Sequence, residues 1–125
     1  MTRWLVVFAG GGLGSLLRYL VGGWVQAGAG TALPWGTFAV NASGCLAIGA
    51  LATWLTERSA ATPELRLFLL VGVLGGYTTF STFGLETWRL VESAEWLRAT
   101  GNAAGSVAAG LAGVAAGVAL ARSLP

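Results

Sequence analysis

Uncharged apolar stretches alternate along the chain with short clusters of charge, and a helix needs about 20 mostly apolar residues to cross the hydrocarbon core of a bilayer. Trp4 to about Val25 is apolar apart from Arg18, and the Gly- and Ala-rich run from Gln26 to Pro34 has the makeup of a loop. Trp35 to Thr56 carries no charge, is closed by Glu57 and Arg58, and precedes a loop from Ser59 to Pro63. Leu67 to Leu85 is a third uncharged span, running into an amphipathic stretch with Glu86, Arg89, Glu92 and Glu95 that ends at Arg98. Ala99 to Ala121, between Arg98 and Arg122, makes a fourth. The pattern predicts an all-α membrane protein, with residues 1–125 forming a single domain of four transmembrane helices. Trp4, Trp24, Trp35, Trp54, Trp88 and Trp96 all fall near predicted span ends, where an aromatic belt would place them.

Composition sharpens this picture by exclusion. Of the 125 residues, 10% are charged, against about a quarter in soluble domains. Lys, His and Asp are absent, so no Ser-His-Asp or Cys-His arrangement, imidazole metal site or phosphate-loop Lys can be assembled. The chain is not expected to be an enzyme. Its net charge is only +2 and the Arg residues are scattered, which leaves no footprint for nucleic acid. The single cysteine, Cys45, is expected to be a small buried side chain. Arg3 and the apolar run after it resemble a signal peptide, but no small-x-small cleavage site precedes Arg18, and a retained first span is expected.

Polar groups inside the hydrocarbon region are costly unless satisfied, so they mark cavities, pathways or partner helices. Thr37 and Asn41 share a helical face that continues to Gly44, and Asn102 and Ser106 repeat the spacing toward Gly110. The third span carries Gly75-Gly76-Tyr77-Thr78-Thr79-Phe80-Ser81-Thr82-Phe83 near its middle. Paired Gly and β-branched Thr are poor helix formers, so the residues leave two readings open. One is a local break that frees carbonyls able to coordinate a cation such as Na⁺; the other is a continuous helix whose Thr hydroxyls bond back to preceding carbonyls. Phe80 and Phe83 share a face, either as packing or with ring edges turned to an anion. Gly101, Gly105, Gly110, Gly113 and Gly117 recur at near-helical spacing on the fourth span, as close helix packing requires. Gly10-Gly11-Gly12-Leu13-Gly14 is no dinucleotide fingerprint, because Leu17 stands at the third glycine position and no strand precedes it.

The run from Gly75 to Phe83, followed by Leu85-Glu86, resembles the signature of the CrcB/Fluc fluoride channel family. Two further pieces match in order: Gly10-Gly11-Gly12-Leu13-Gly14 leading to Arg18-Tyr19, and Gly36-Thr37-Phe38-Ala39-Val40-Asn41 leading to Gly44. The resemblance covers essentially the whole chain. It implies a third helix broken near its middle and an antiparallel dual-topology dimer, formed with a second copy or a sister chain. It also implies a structural Na⁺ at the dimer centre, held by the backbone carbonyls of Gly75 and Thr78. On this likeness Phe80 and Phe83 meet fluoride through their ring edges, Asn41 donates to it, and Thr37, Ser81, Thr82 and Ser106 complete a polar track. Arg18 stands near a vestibule or in a structural ion pair. Asn102 departs from the pattern, in which a Tyr often stands early in the fourth span. The implied role is passive export of cytoplasmic fluoride across the cell membrane, with lipid as the surrounding solvent and no organic cofactor.

Two alternatives belong to other classes. A small four-span proton-coupled transporter needs a titratable carboxylate inside the membrane, and all five Glu fall in predicted loops or near span ends. A non-selective membrane assembly subunit would not need polar stripes in this order. Charge also bears on orientation. Arg3, Arg58, Arg66 and Arg122 fall on one side, against Arg89, Arg98 and, if it is counted there, Arg18 on the other. That bias is weak under the positive-inside rule, so insertion in both orientations is expected.

Overall fold

In lipid every backbone N–H and C=O must be satisfied within the chain, and a helix does so with its own neighbours. A computed structural model of the protein describes residues 2–57 and 61–124, and they are helical almost throughout. Helix α1 runs Thr2–Ala29 and α2 runs Trp35–Glu57. The third span opens with α3 (Pro63–Arg66), widens into a π-helix (Leu67–Leu74), and continues as α4 (Gly75–Tyr77). After a break it resumes as α5 (Phe80–Glu92), and α6 (Trp96–Ser123) completes the bundle. Four stretches, Arg3–Ala29, Trp35–Glu57, Pro63–Glu92 and Trp96–Ser123, are long and apolar enough to cross a membrane.

Helix ends differ from the sequence expectation where polar or small residues continue a helix instead of leaving it. Gln26 to Ala29 stay helical, and α1 stops at Gly30, whose φ of +81° suits only a residue without Cβ. The Gln26 side chain then closes the short loop, donating to the Leu33 carbonyl at 3.1 Å and accepting from the Gly36 N–H at 2.9 Å. At the start of the third span, Thr62 caps α3 by accepting from the Leu65 N–H, with Pro63 in the first turn. Arg58 and Ser59 lie outside the described residues.

Helix α1 packs chiefly on the third span, and α2 chiefly on α6. Both seams depend on missing side chains. A Cβ on Gly10 would stand 2.7 Å from the Phe68 carbonyl oxygen, and one on Gly76 would stand 2.5 Å from that of Gly11. On the other seam, Gly49 lies against the Val114 carbonyl and Gly117 against that of Leu46. This is the close approach that drives helix association where hydrophobicity cannot. The expected glycine stripe on α6 is only partly used this way, since a Cβ on Gly101 or Gly105 would meet nothing within 4 Å.

Polar ties gather at one end of the bundle. Arg122 pairs with Glu57 at 2.9 Å, Arg3 with Glu64 at 3.9 Å, and Arg66 reaches the Leu55 carbonyl at the end of α2. The start of α1, the end of α2, the start of α3 and the end of α6 therefore lie at one end of the bundle. Outside, Trp4, Trp24, Trp54, Trp88 and Trp96 are exposed near helix ends, the arrangement of an interfacial belt.

The α5–α6 turn contains the one non-glycine residue with positive φ among the described residues, Ala94 at +59°. The Glu95 N–H bonds back to the Leu90 carbonyl at 2.8 Å, the closing bond of a Schellman turn, in which glycine is the favoured residue at this position. Ala94→Gly should therefore stabilise the protein by ~1 kcal/mol, read as a raised thermal midpoint in detergent. An unchanged or lowered midpoint would contradict this account of the turn.

Candidate functional site

The break falls at Thr78 and Thr79, which are extended at φ −78°, ψ 157° and φ −149°, ψ 116°. Gly75 and Gly76 are helical, so the break sits at the β-branched pair; Gly76 admits α1, whereas a Cβ on Gly75 would meet no atom of α1 within 4 Å. The two threonines end and begin helices in opposite senses. Thr78 donates its hydroxyl to the Leu74 carbonyl at 2.9 Å, closing the first half. Thr79 accepts from the Thr82 N–H at 3.2 Å, capping the second.

In an unbroken helix the Thr79 N–H would donate to the Gly75 carbonyl. Here it donates to Asn41 Oδ1 at 2.8 Å, while Asn41 Nδ2 donates to the Thr79 carbonyl at 2.9 Å. Asn41 thus replaces the lost helical bond, clasping one residue of extended backbone as a neighbouring strand would. One of its two N–H donors remains for a ligand.

Two cavities flank the break, and Thr79 lines both. The first, about 460 Å³, is mostly apolar and brings together Asn41, Phe80, Phe83 and Ser106 with Gly75 and Thr78. The Phe80 and Phe83 ring centroids are 5.5 Å apart with planes tilted by 43°. Phe80 is 83% exposed, so beyond its contact with Phe83 most of its ring faces away from the bundle. Cys45, expected to be buried, is half-buried on this cavity's wall. The second, about 490 Å³, holds Arg18, Thr37 and Thr82 with Gln26 and Glu86. Ser81 lines neither; it is exposed, with its hydroxyl 3.4 Å from that of Thr79.

Charge in the second cavity is mixed. Arg18 Nη1 lies 3.5 Å from the Thr78 carbonyl oxygen, which places a guanidinium directly beside the break. Glu86 accepts from the Thr37 hydroxyl at 2.9 Å through Oε1, while its Oε2 is buried without a hydrogen-bond partner. Sequence placed Glu86 in the amphipathic stretch after the third span; the structure puts it inside α5, within the candidate span Pro63–Glu92. Its signal was the helical register from Phe83, which turns Glu86 toward α2. Thr79 was also missed as the residue common to both cavities, because Thr78 and Thr79 are indistinguishable by pattern.

Among the described residues no group of three His, Cys, Asp or Glu could hold a metal ion. What the arrangement offers is a set of hydroxyl and amide groups, aromatic rings, one guanidinium and one carboxylate, that of Glu86, around a helix break. That chemistry suits the passage of a small ion.

The family described as CrcB-like protein, Camphor Resistance (CrcB), matches residues 5–118. A protein of Rhizobium meliloti named fluoride-specific ion channel FluC is 47% identical over 124 residues, covering 99% of each chain. One of the same name from Chloroflexus aurantiacus is 46% identical over 122 residues, 98% of this chain and 97% of its own. A Nocardia farcinica protein, fluoride-specific ion channel FluC 2, is 51% identical over 118 residues, 94% of this chain and 84% of its own.

Proposed function

We propose, for a chain that belongs to the CrcB-like family, that it is the protomer of a fluoride-selective passive channel, and that it lets fluoride leave the cytoplasm down its gradient. It is a multi-pass protein of the cell membrane, with four helices able to span it. Its relatives are named as ion channels and not as enzymes. The observation that carries the reading is the break at Thr78 and Thr79, clasped by Asn41 and opening on one side to Phe80, Phe83 and Ser106.

On this reading an anion enters past Arg18, whose charge draws it in, and exchanges water for the hydroxyl of Thr82, while Thr37 lines the same cavity with its proton held by Glu86. Beyond the break it meets the spare Asn41 donor, the Ser106 hydroxyl and the positive edges of the two Phe rings. Ser81 joins this track only if a second chain closes over its exposed face. Expression in a fluoride-hypersensitive bacterium tests export: growth in millimolar fluoride should be restored, and unrelieved inhibition with protein present in the membrane would contradict it.

A central Na⁺ fits the donor set. Because Asn41 takes the Thr79 N–H, the Gly75 carbonyl loses its helical donor, and the Thr78 carbonyl is likewise outside the helical ladder, with only the long 3.5 Å contact from Arg18 Nη1 on it. Neutral carbonyls are hard oxygen ligands of the kind that bind Na⁺ at unwound helices. Gly75 and Thr78 would hold it, and its charge would serve to fix two broken helices together.

The partner in this proposal is a second copy in antiparallel orientation, with an oppositely oriented sister chain as the variant. The exposed Phe80 ring and the open wall of the first cavity support a partner there. In the sequence, Arg3, Arg58, Arg66 and Arg122 on one side, against Arg89, Arg98 and, if it is counted there, Arg18 on the other, leave only a weak bias in topology. A C-terminal reporter active on one side only should give an intermediate signal. Adding Arg pairs to either loop set should shift it in opposite directions, each biased variant being inactive alone and rescued by co-expression. A parent chain found in a single orientation would defeat the homodimer.

Glu86 revives one rival, because a proton-coupled transporter requires a carboxylate inside a span. An uncoupler separates the two: fluoride efflux through a passive channel persists when the proton gradient is collapsed, and a coupled transporter stops.

A further inference from the structure

The geometry points to Asn102 as a positioning residue for Phe83, acting through Thr87. Asn102 is 8% exposed on α6 and donates through Nδ2 to the Thr87 hydroxyl at 2.8 Å. That hydroxyl in turn donates its only proton to the Phe83 carbonyl at 2.8 Å. The relay is directional, since a hydroxyl that accepts from an amide becomes a stronger donor. Asn102 and Thr87 line neither of these two cavities.

The relay matters because of what α5 lacks. No residue of α5 is buried, so packing alone does little to fix the rotation and height of the helix that carries Phe80 and Phe83. Two side-chain ties cross from it to other spans near its middle: Glu86 to Thr37 on α2, and Thr87 to Asn102 on α6. The second sits one helical turn from Phe83 and ends on its backbone. Asn102 lies six residues into α6, or about 9 Å along the axis, where an unsatisfied amide would be costly and a satisfied one holds its partner firmly.

This inference rests on the reading of Phe83 as a pathway residue, and the experiment separates the two. The protein would be reconstituted with 4-fluorophenylalanine at position 83, and its ¹⁹F resonance recorded beside fluoride efflux and thermal midpoint. Thr87→Val, which keeps the shape and removes the hydroxyl, and Asn102→Ala should both move the resonance in the same direction. Each should slow efflux about fivefold, the effect of one lost hydrogen bond, and the double variant should be no slower. Thr87→Ser should restore both readouts. In a Phe83→Leu background neither substitution should slow efflux further. A lowered midpoint with an unmoved resonance would overturn the relay and leave a purely structural tie. A resonance that moves while Phe83→Leu conducts normally would uphold the relay and refute Phe83 as part of the path.

Discussion

Asn41→Asp should abolish fluoride flux. Aspartate keeps the oxygen that accepts from the Thr79 N–H, so the break survives. It loses the Nδ2 donor, and a carboxylate oxygen then faces the Thr79 carbonyl where a hydrogen bond of 2.9 Å had been. Leaving that acceptor unsatisfied costs about 1–3 kcal/mol of stability, seen as a lower melting midpoint of a still folded protein. The effect on flux is larger. A fixed negative charge repels fluoride passing about 4 Å away by ~4 kcal/mol at an effective dielectric constant near 20, a loss of roughly a thousandfold. Liposome efflux at the background leak rate is the expected result. Flux at the parent rate would remove Asn41 from the path and leave it only as the clasp of the break.

Phe80→Leu and Phe83→Leu should each slow fluoride about tenfold or more, the equivalent of ~1.4 kcal/mol of barrier. Leucine fills most of the ring's volume but presents no positive edge to an anion. Both rings line the first cavity, at 5.5 Å from one another. Phe68, in the π-helix against α1, lines neither cavity and is the control. Phe68→Leu should cost stability and leave flux per folded protein close to that of the parent. If Phe68→Leu slows flux as much as the other two, the pair returns to ordinary packing.

The four spans were legible because charge punctuates the chain: Glu57 ends α2 and Arg98 opens the apolar stretch of α6. Helix ends were less so, because Gln26 and Trp96 continue or begin helices that polarity alone would have cut short. A break in the third span was one of two readings of the residues and an implication of the family likeness. Its place was not legible. Gly75-Gly76 and Thr78-Thr79 suggested it alike, yet Gly76 is helical and leaves α1 the space a Cβ would occupy, and the chain departs from helix at Thr78. Asn41 was recognised as a polar group within a span, but its partner lies 38 residues away, and no local pattern encodes that pairing. Glu86 and Asn102 were misjudged or left open for the same reason. Each is defined by a hydroxyl on another element, Thr37 for Glu86 and Thr87 for Asn102.

The central claim is that this arrangement conducts fluoride and rejects larger halides, and the most direct measurement is efflux from liposomes containing only the purified protein. Loaded with fluoride or with chloride and followed by ion-selective electrodes, the vesicles should empty of fluoride within the mixing time and hold their chloride at the protein-free leak rate. Equal efflux of both ions, or retention of both, would contradict the account.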